Sequence, residues 1–398
     1  MKDPSPWKAL AHVYISMLAF ALTFQAIPPL LSFIIPSLGI SSTQAGALMS
    51  FFALPGILIS IPGGILTDIY GPRPVGIVAL ILALIGSILV ALGNSFSLLA
   101  MGRIIAGIGS LTIAIIAPQT ISRWVAPQDL GKAMGIFNTA MPVGTIVTLN
   151  VFGRLALAWN WRIPILLTVL YTLFVLALFY FQHPGLPQGE EPKGERRALG
   201  PKLAQIGHTG WPIWLVAFIW MMYNAAAISY LTFAAEHYIA AGFNVAFAGF
   251  LTSLFMMGSL VFSPLVGYLT DKIGRGEYFI IGAATILAVL LFLVPRTALN
   301  PMLLGTVIGL VAAFIPAPVF SLVSRCLPPA QAGLGYGILS TCLNVGVLLG
   351  PLLVGLSYDR RGDYLMGFSL MALFALAAGA IALLLLFVQG KESSPSST

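Results

Sequence analysis

The sequence predicts an all-α membrane protein with twelve transmembrane helices arranged as two six-helix bundles. Three observations lead to this fold class. The chain of 398 residues is 59% hydrophobic and only 8% charged, whereas soluble domains carry roughly 25% charged residues. Its apolar residues form continuous runs such as 77–92 and 368–388, which are typical of helical spans and lack the alternation of a membrane barrel. Finally, the two halves of the chain repeat each other.

The predicted spans follow one another through short connections, apart from one polar segment. Proline, glycine and charged residues mark the span ends. The predicted spans are 9–35, 43–66, 75–92, 96–124, 131–155, 163–181, 211–235, 245–269, 278–294, 301–326, 332–358 and 364–388. The segment 185–209 is too polar to bury. It predicts a cytoplasmic linker between an N-terminal bundle of residues 1–184 and a C-terminal bundle of residues 210–398.

The positive charges predict how the chain lies in the membrane. The net charge is +7, but the lysines and arginines form no basic stripe, which argues against nucleic acid as a partner. Thirteen of the nineteen basic residues fall on the side that holds both termini. By the positive-inside rule, both termini are expected in the cytoplasm, with the chain in the plasma or inner membrane.

The chain gives no sign of a cofactor. The two cysteines, Cys326 and Cys342, have no ligand-spaced partners, so neither a disulfide framework nor a metal site is predicted. A nucleotide-binding loop and nucleophile motifs are also missing from the sequence. We therefore expect no enzyme and no ATP-driven pump. The expected partners are a small-molecule substrate, the lipid bilayer and protons, and the expected state is a monomer.

Two motifs carry the internal repeat. The pattern Gly-x-x-x-Asp-x-x-Gly occurs at 64–71 and again at 267–274, an offset of 203 residues. A longer pattern that begins at Ser122 and Arg123 recurs from Ser324 and Arg325, at an offset of 202. Two parallel six-helix repeats are the architecture in which a substrate site lies at mid-membrane between two rocking bundles.

With these motifs the chain resembles the major facilitator superfamily. The loop at 64–73 reads Gly-x-x-x-Asp-x-x-Gly-x-Arg, its echo occupies 267–275, and the fourth span carries Arg103-x-x-x-Gly107-x-Gly109. The resemblance implies the twelve-helix fold of that superfamily and transport by alternating access. It also implies that the loop residues form a gating latch, namely Asp68, Arg73, Asp271 and Arg275, with solvated loop carboxylates as the alternative for the two aspartates.

Ionisable residues at membrane depth are functional candidates because burying them is unfavourable. Arg103 lies about two turns inside the fourth span. It is expected either to hold an anion and assist proton coupling, or to clamp carbonyl groups of a neighbouring helix. Glu236 and His237 adjoin the end of the seventh predicted span. They are proton-coupling candidates, with a water-facing pair as the alternative.

The other polar candidates near the midplane are uncharged. They are predicted to line a substrate cavity, with interhelical hydrogen bonding as the alternative; they are Gln25, Asn138, Tyr223, Asn224 and Asn344. A cavity without a central acidic or basic cluster suits a neutral metabolite or a monoanion. The stretch from Gly355 to Asp359 also resembles the cyanate-type and the oxalate or monocarboxylate-type carriers.

Together these features predict a secondary active transporter that moves a small organic monoanion or neutral metabolite by alternating access, with proton symport. Facilitated diffusion also fits the shortage of buried acids, and a non-transporting sensor is a further alternative. The main alternative is proton-coupled efflux of amphipathic compounds. The fifth span carries Pro142 and Gly144 without the paired glycine of drug exporters, so the resemblance to exporters is partial.

Overall fold

The structure is a computed structural model that describes residues 6–182, 209–327 and 332–392. These residues form helices and no strands, and twelve segments are long and apolar enough to cross a membrane. The predicted fold class is therefore confirmed. Numbered as spans, the helices are span 1, Pro6–Phe24 and Leu31–Leu38; span 2, Ser42–Tyr70; span 3, Pro72–Leu92; span 4, Phe96–Trp124; span 5, Pro127–Asn138 and Ala140–Ala158; span 6, Arg162–Gln182; span 7, Trp211–Ala240; span 8, Val245–Ile273; span 9, Gly276–Leu293; span 10, Pro301–Ala312 and Pro316–Cys326; span 11, Ala332–Arg361; and span 12, Leu365–Glu392.

The bundle has two ends, which we name by the connections they hold. The linker end carries residue 71, residues 125–126 and the helix ends at Gln182 and Trp211. The distal end carries the connections at 39–41, 93–95, 159–161, 241–244, 294–300 and 362–364. We call spans 1 to 6 the first half and spans 7 to 12 the second half. The predicted linker lies outside the described residues, apart from Thr209.

Proline explains why spans 1, 5 and 10 are each split into two helical segments. Proline lacks a backbone N–H, and its ring clashes with the carbonyl group one turn earlier in a helix. Pro28 and Pro29 follow the first segment of span 1, where a short 3-10 helix at Pro28–Leu30 replaces the α-helix. Span 5 breaks just before Pro142, and span 10 breaks just before Pro316.

The two halves touch through their backbones near the distal end. A Cβ atom added to Gly46 of span 2 would overlap the carbonyl oxygen of Pro351 in span 11, and one added to Gly249 of span 8 would overlap that of Leu149 in span 5. Small residues permit such close helix packing in membranes. Nearer the linker end of spans 5 and 8, Gly135 and Gly267 have open space around them. Spans 5 and 8 are thus in backbone contact at the distal end, whereas a Cβ atom at either of these linker-end glycines would meet no neighbour.

The predicted span limits agree with the helices to within a few residues. The difference that matters most is at span 7, which was expected to end at residue 235 and continues to Ala240. Hydropathy alone suggested the shorter limit, because the polar pair Glu236 and His237 follows the apolar run. Both residues therefore belong to the last turns of the helix and not to a loop.

Candidate functional site

The break in span 1 leaves the C-terminus of a helical segment inside the protein. Arg103 of span 4 donates hydrogen bonds to the carbonyl groups at this end. The carbonyl of Phe24 would normally accept a hydrogen bond from residue 28, but Pro28 has no N–H to donate. Arg103 Nη2 donates to the carbonyl oxygen of Phe24 at 3.0 Å, and Nη1 donates to that of Thr23 at 2.7 Å. The partial negative charge at a helix C-terminus also stabilises the guanidinium.

Arg103 binds span 2 as well. Its Nε donates to the carbonyl oxygen of Leu48 at 2.9 Å, and the guanidinium lies 4.4 Å from the centre of the Phe52 ring. The side chain is only 2% exposed. Arg103 is thus a clamp between spans 1, 2 and 4, which is one of the two roles that the sequence left open. A direct role in holding an anion stays a prediction.

The opposite side of the same break is capped by Glu236. The second segment of span 1 begins at Leu31, and its first N–H groups have no partner within the helix. Glu236 Oε1 accepts a hydrogen bond from the backbone N–H of Ser32 at 2.8 Å. A carboxylate is stabilised at a helix N-terminus. Because Glu236 belongs to span 7, this hydrogen bond joins the two halves of the protein.

Aromatic rings surround His237, the residue that follows Glu236 in span 7. The His237 ring packs against the rings of Phe368 at 5.0 Å and Tyr364 at 5.8 Å. Tyr364 lies just before span 12; burial raises its pKa, and the negative charge of Glu236 raises it further, so the phenol stays neutral. Within the described residues, no lysine or arginine forms a salt bridge with Glu236. Proton coupling through Glu236 and His237 stays a prediction.

Tyr223 and Asn224 are buried in span 7, and their role in lining a substrate cavity stays a prediction. Tyr223 Oη donates to the carbonyl oxygen of Ala312 at 3.3 Å, at the break in span 10, and its ring stacks on Trp220 at 5.4 Å. Asn224 Nδ2 donates to the carbonyl oxygen of Trp220 at 2.8 Å. The hydroxyl of Tyr223 therefore joins spans 7 and 10, whereas the amide nitrogen of Asn224 bonds within its own helix.

Asn344 lies where the two halves meet. Its Nδ2 donates to the carbonyl oxygen of Ser340 at 2.8 Å within span 11. The rest of the amide faces span 2, because a Cβ atom added to Gly56 would lie 2.5 Å from Asn344 Oδ1. That Asn344 binds substrate stays a prediction.

The remaining two polar candidates differ from each other. Gln25 is fully buried at the break in span 1, and neither atom of its amide has a hydrogen-bond partner among the described residues. Asn138 is exposed at the break in span 5. The five neutral candidates therefore do not share one buried environment. Of the five, Gln25 is the residue whose polar atoms are left unpartnered, as in a site that binds water or a ligand.

At the linker end, the structure describes the side chains of two of the four predicted gating residues. Arg73 Nη2 donates to the carbonyl oxygen of Tyr180 in span 6 at 2.6 Å, a contact within the first half. The guanidinium of Arg275 lies 5.7 Å from the Tyr278 ring centre. The side chains of Asp68 and Asp271 lie outside the described part of the structure. The gating role of these four residues stays a prediction.

At the distal end, Asp359 makes contacts that were not predicted from the sequence. Asp359 of span 11 accepts hydrogen bonds from the backbone N–H groups of Ser42 at 2.8 Å and Thr43 at 2.7 Å, and from the Thr43 hydroxyl. Ser42 begins span 2, so Asp359 also joins the two halves. One feature of the sequence could have indicated this contact. Asp359 is a carboxylate in the last turn of its own helix, where the helix dipole disfavours a negative charge.

The family described as Major Facilitator Superfamily matches residues 13–243 and 228–398. The chain belongs to this superfamily. A solved bacterial homologue of the human lysosomal transporter Spinster, in an inward-facing and unoccupied conformation, matches with a TM-score of 0.78 at 17% identity over 100% of both chains. This likeness supports the fold.

The curated relatives of this superfamily member are named transporters. The lysosomal dipeptide transporter MFSD1 of Danio rerio is 23% identical, covering 97% of this chain and 88% of that protein. The probable sulfoacetate transporter SauU of Cupriavidus necator is 25% identical, covering 87% and 85%. The nitrite extrusion protein of Bacillus subtilis is 27% identical, covering 92% and 90%. The chain is a multi-pass membrane transporter of small molecules and not an enzyme.

Proposed function

We propose that this protein is a secondary active transporter that moves a small organic monoanion or neutral metabolite together with protons. It works by alternating access in the plasma membrane, with both termini in the cytoplasm, so that the distal end faces outward. The observation that carries the coupling is the hydrogen bond of Glu236 to Ser32. A partly buried titratable group near the distal end thereby contributes to the contact between the two halves.

Protonation of Glu236 would weaken this contact for two reasons. A neutral carboxyl accepts a hydrogen bond from a backbone N–H less strongly than a carboxylate does. It also loses the favourable interaction with the positive end of the helix that begins at Leu31. Among the described residues, the groups that interact with Glu236 are the Ser32 N–H and the nearby Tyr364 phenol, which is neutral. A proton from the distal side would thus favour opening of the distal end.

The polar groups support a substrate without multiple charges. Tyr223, Asn224, Asn344 and Gln25 are buried and uncharged. The guanidinium of Arg103 already donates to three carbonyl groups. The relatives are named for a dipeptide, sulfoacetate and nitrite, which share small size and polarity but differ in net charge. A cavity with hydroxyl and amide groups can hold such molecules by hydrogen bonds.

The test is uptake into proteoliposomes with and without an inward proton gradient. The panel contains labelled monocarboxylates, sulfoacetate, nitrite, dipeptides and a neutral sugar, and each is tested with the parent protein, Glu236→Gln and Asp363→Asn. Asp363 is a matched control, because it caps Leu365 within its own half at 3.0 Å. We expect gradient-driven accumulation by the parent and Asp363→Asn, and substrate exchange without accumulation by Glu236→Gln.

Two results would contradict the proposal. Undiminished proton-driven accumulation by Glu236→Gln would remove Glu236 from the coupling mechanism. No uptake of any panel member, together with proton-driven extrusion of a lipophilic dye, would instead support efflux of amphipathic compounds.

A further inference from the structure

Two carboxylates of the second half cap the first turns of two helices in the first half. Asp359 of span 11 accepts from the backbone of Ser42 and Thr43, and Glu236 of span 7 accepts from the backbone of Ser32. We propose that these contacts form a distal latch, which stabilises the conformation in which the distal end is closed. Asp359 is its principal residue. The latch residues are defined as Glu236 and Asp359.

The position of each carboxylate within its own helix supports this role. Asp359 lies in the last turn of span 11, which ends at Arg361, and Glu236 lies near the end of span 7, which ends at Ala240. A negative charge is disfavoured at the C-terminus of a helix and favoured at the N-terminus. Neither carboxylate therefore stabilises its own helix end. Both interact favourably only with a helix of the other half.

The backbone at the same place is in close contact, so the latch belongs to a closed end. A Cβ atom added to Gly355, one turn before Asp359, would overlap the carbonyl oxygen of Ser42. Contact continues toward the middle of the bundle, where Ser50 Oγ donates to the carbonyl oxygen of Leu348 at 2.5 Å. Any separation of spans 2 and 11 at the distal end must first break the hydrogen bonds of Asp359.

Asp359 contributes more to the latch than Glu236 does. Asp359 uses both oxygens and accepts three hydrogen bonds, two of them from the orphan N–H groups that begin span 2. Glu236 accepts one hydrogen bond. Asp359 is also exposed, so its carboxylate is solvated and remains ionised without a protein cation. The contact at Asp359 therefore does not depend on protonation near neutral pH, whereas the contact at Glu236 is proposed to do so.

The test is a distance measurement across the distal end. Spin labels are attached at Trp159→Cys in the first half and Leu299→Cys in the second half, both at exposed positions, after replacement of Cys326 and Cys342. Pulsed electron spin resonance in lipid nanodiscs then gives the distribution of closed and open distances. The variants are Asp359→Ala, Asp359→Asn and, as a control, Asp363→Ala. Each is also melted to check that it is folded.

We expect Asp359→Ala to raise the ratio of open to closed molecules about tenfold, the scale of losing a helix N-cap. Asp359→Asn keeps one acceptor oxygen and should raise it about threefold. Asp363→Ala should leave the ratio unchanged, because the contact of Asp363 lies within one half. Combining Asp359→Ala with Glu236→Gln should open the distal end further than either change alone.

The inference is overturned if Asp359→Ala and Asp363→Ala give the same distances. It is also overturned if Asp359→Ala lowers the melting temperature while the distance distribution stays that of the parent, because Asp359 would then be merely structural. The inference rests on alternating access as part of the proposed function. The distance measurement uses neither substrate nor a proton gradient, so a wrong substrate or a wrong coupling ion leaves its outcome unaffected.

Discussion

The clamp formed by Arg103 predicts a specific loss of stability when arginine is replaced by lysine. Arg103 donates from three nitrogen atoms, to span 2 through Leu48 and to span 1 through Thr23 and Phe24. Lysine keeps the positive charge but carries all its donors on one atom. A single ammonium group cannot reproduce the fork of three nitrogen atoms with which Arg103 contacts both helices. Arg103→Lys therefore removes hydrogen bonds without removing charge.

The magnitude follows from the number of carbonyl groups left without a donor. Lysine should satisfy one of the three, so about two are lost, and each lost bond costs about 1 to 2 kcal/mol in a buried site. The free energy of unfolding should fall by about 3 kcal/mol. With an unfolding entropy of about 2.1 cal/mol/K per residue, the melting temperature of the chain should fall by roughly 4 °C.

The assay is thermal unfolding in detergent, measured without substrate, for the parent protein, Arg103→Lys and Arg154→Lys. Arg154 is exposed on span 5, so its replacement controls for the chemistry of the exchange and should change the melting temperature by less than about 1 °C. Equal melting temperatures for all three proteins would refute the clamp. If the stability were unchanged but substrate affinity fell, Arg103 would act by binding the substrate directly.

Two further predictions follow from the interface between the halves. Gly355→Ala places a Cβ atom on the Ser42 carbonyl oxygen, so spans 2 and 11 must separate by roughly 1 Å and the spin-label distances across the distal end should lengthen. The control Gly282→Ala adds a Cβ atom to open space and should leave these distances unchanged. Identical distances in the two variants would contradict the packing argument. Asn344→Ala should weaken substrate binding about tenfold through loss of one hydrogen bond, measured as the substrate concentration that gives half-maximal uptake. Asn150→Ala is the control, because the Asn150 amide also donates within its own helix, at 2.8 Å. Unchanged affinity in Asn344→Ala would remove Asn344 from the substrate site.

Much of the architecture could be predicted from the sequence because the relevant signals are local. The apolar runs and their punctuation by proline, glycine and charge determine the number of spans, and the repeat at an offset near 203 residues links the halves. The scarcity of ionisable residues at membrane depth also singled out Arg103 and Glu236 as unusual. Such patterns report which environment a residue requires, since burial of a charge is unfavourable wherever it occurs.

Only the tertiary structure decided what those residues touch. Pro28 and Pro29 indicate the break in span 1, but the sequence does not predict that Arg103 caps one side of it and Glu236 the other. Asp359 and its partner Ser42 are 317 residues apart along the chain. A carboxylate can cap any nearby helix N-terminus, and which one is nearby depends on how the spans pack. Hydropathy and spacing determine the helices, and packing determines their partners.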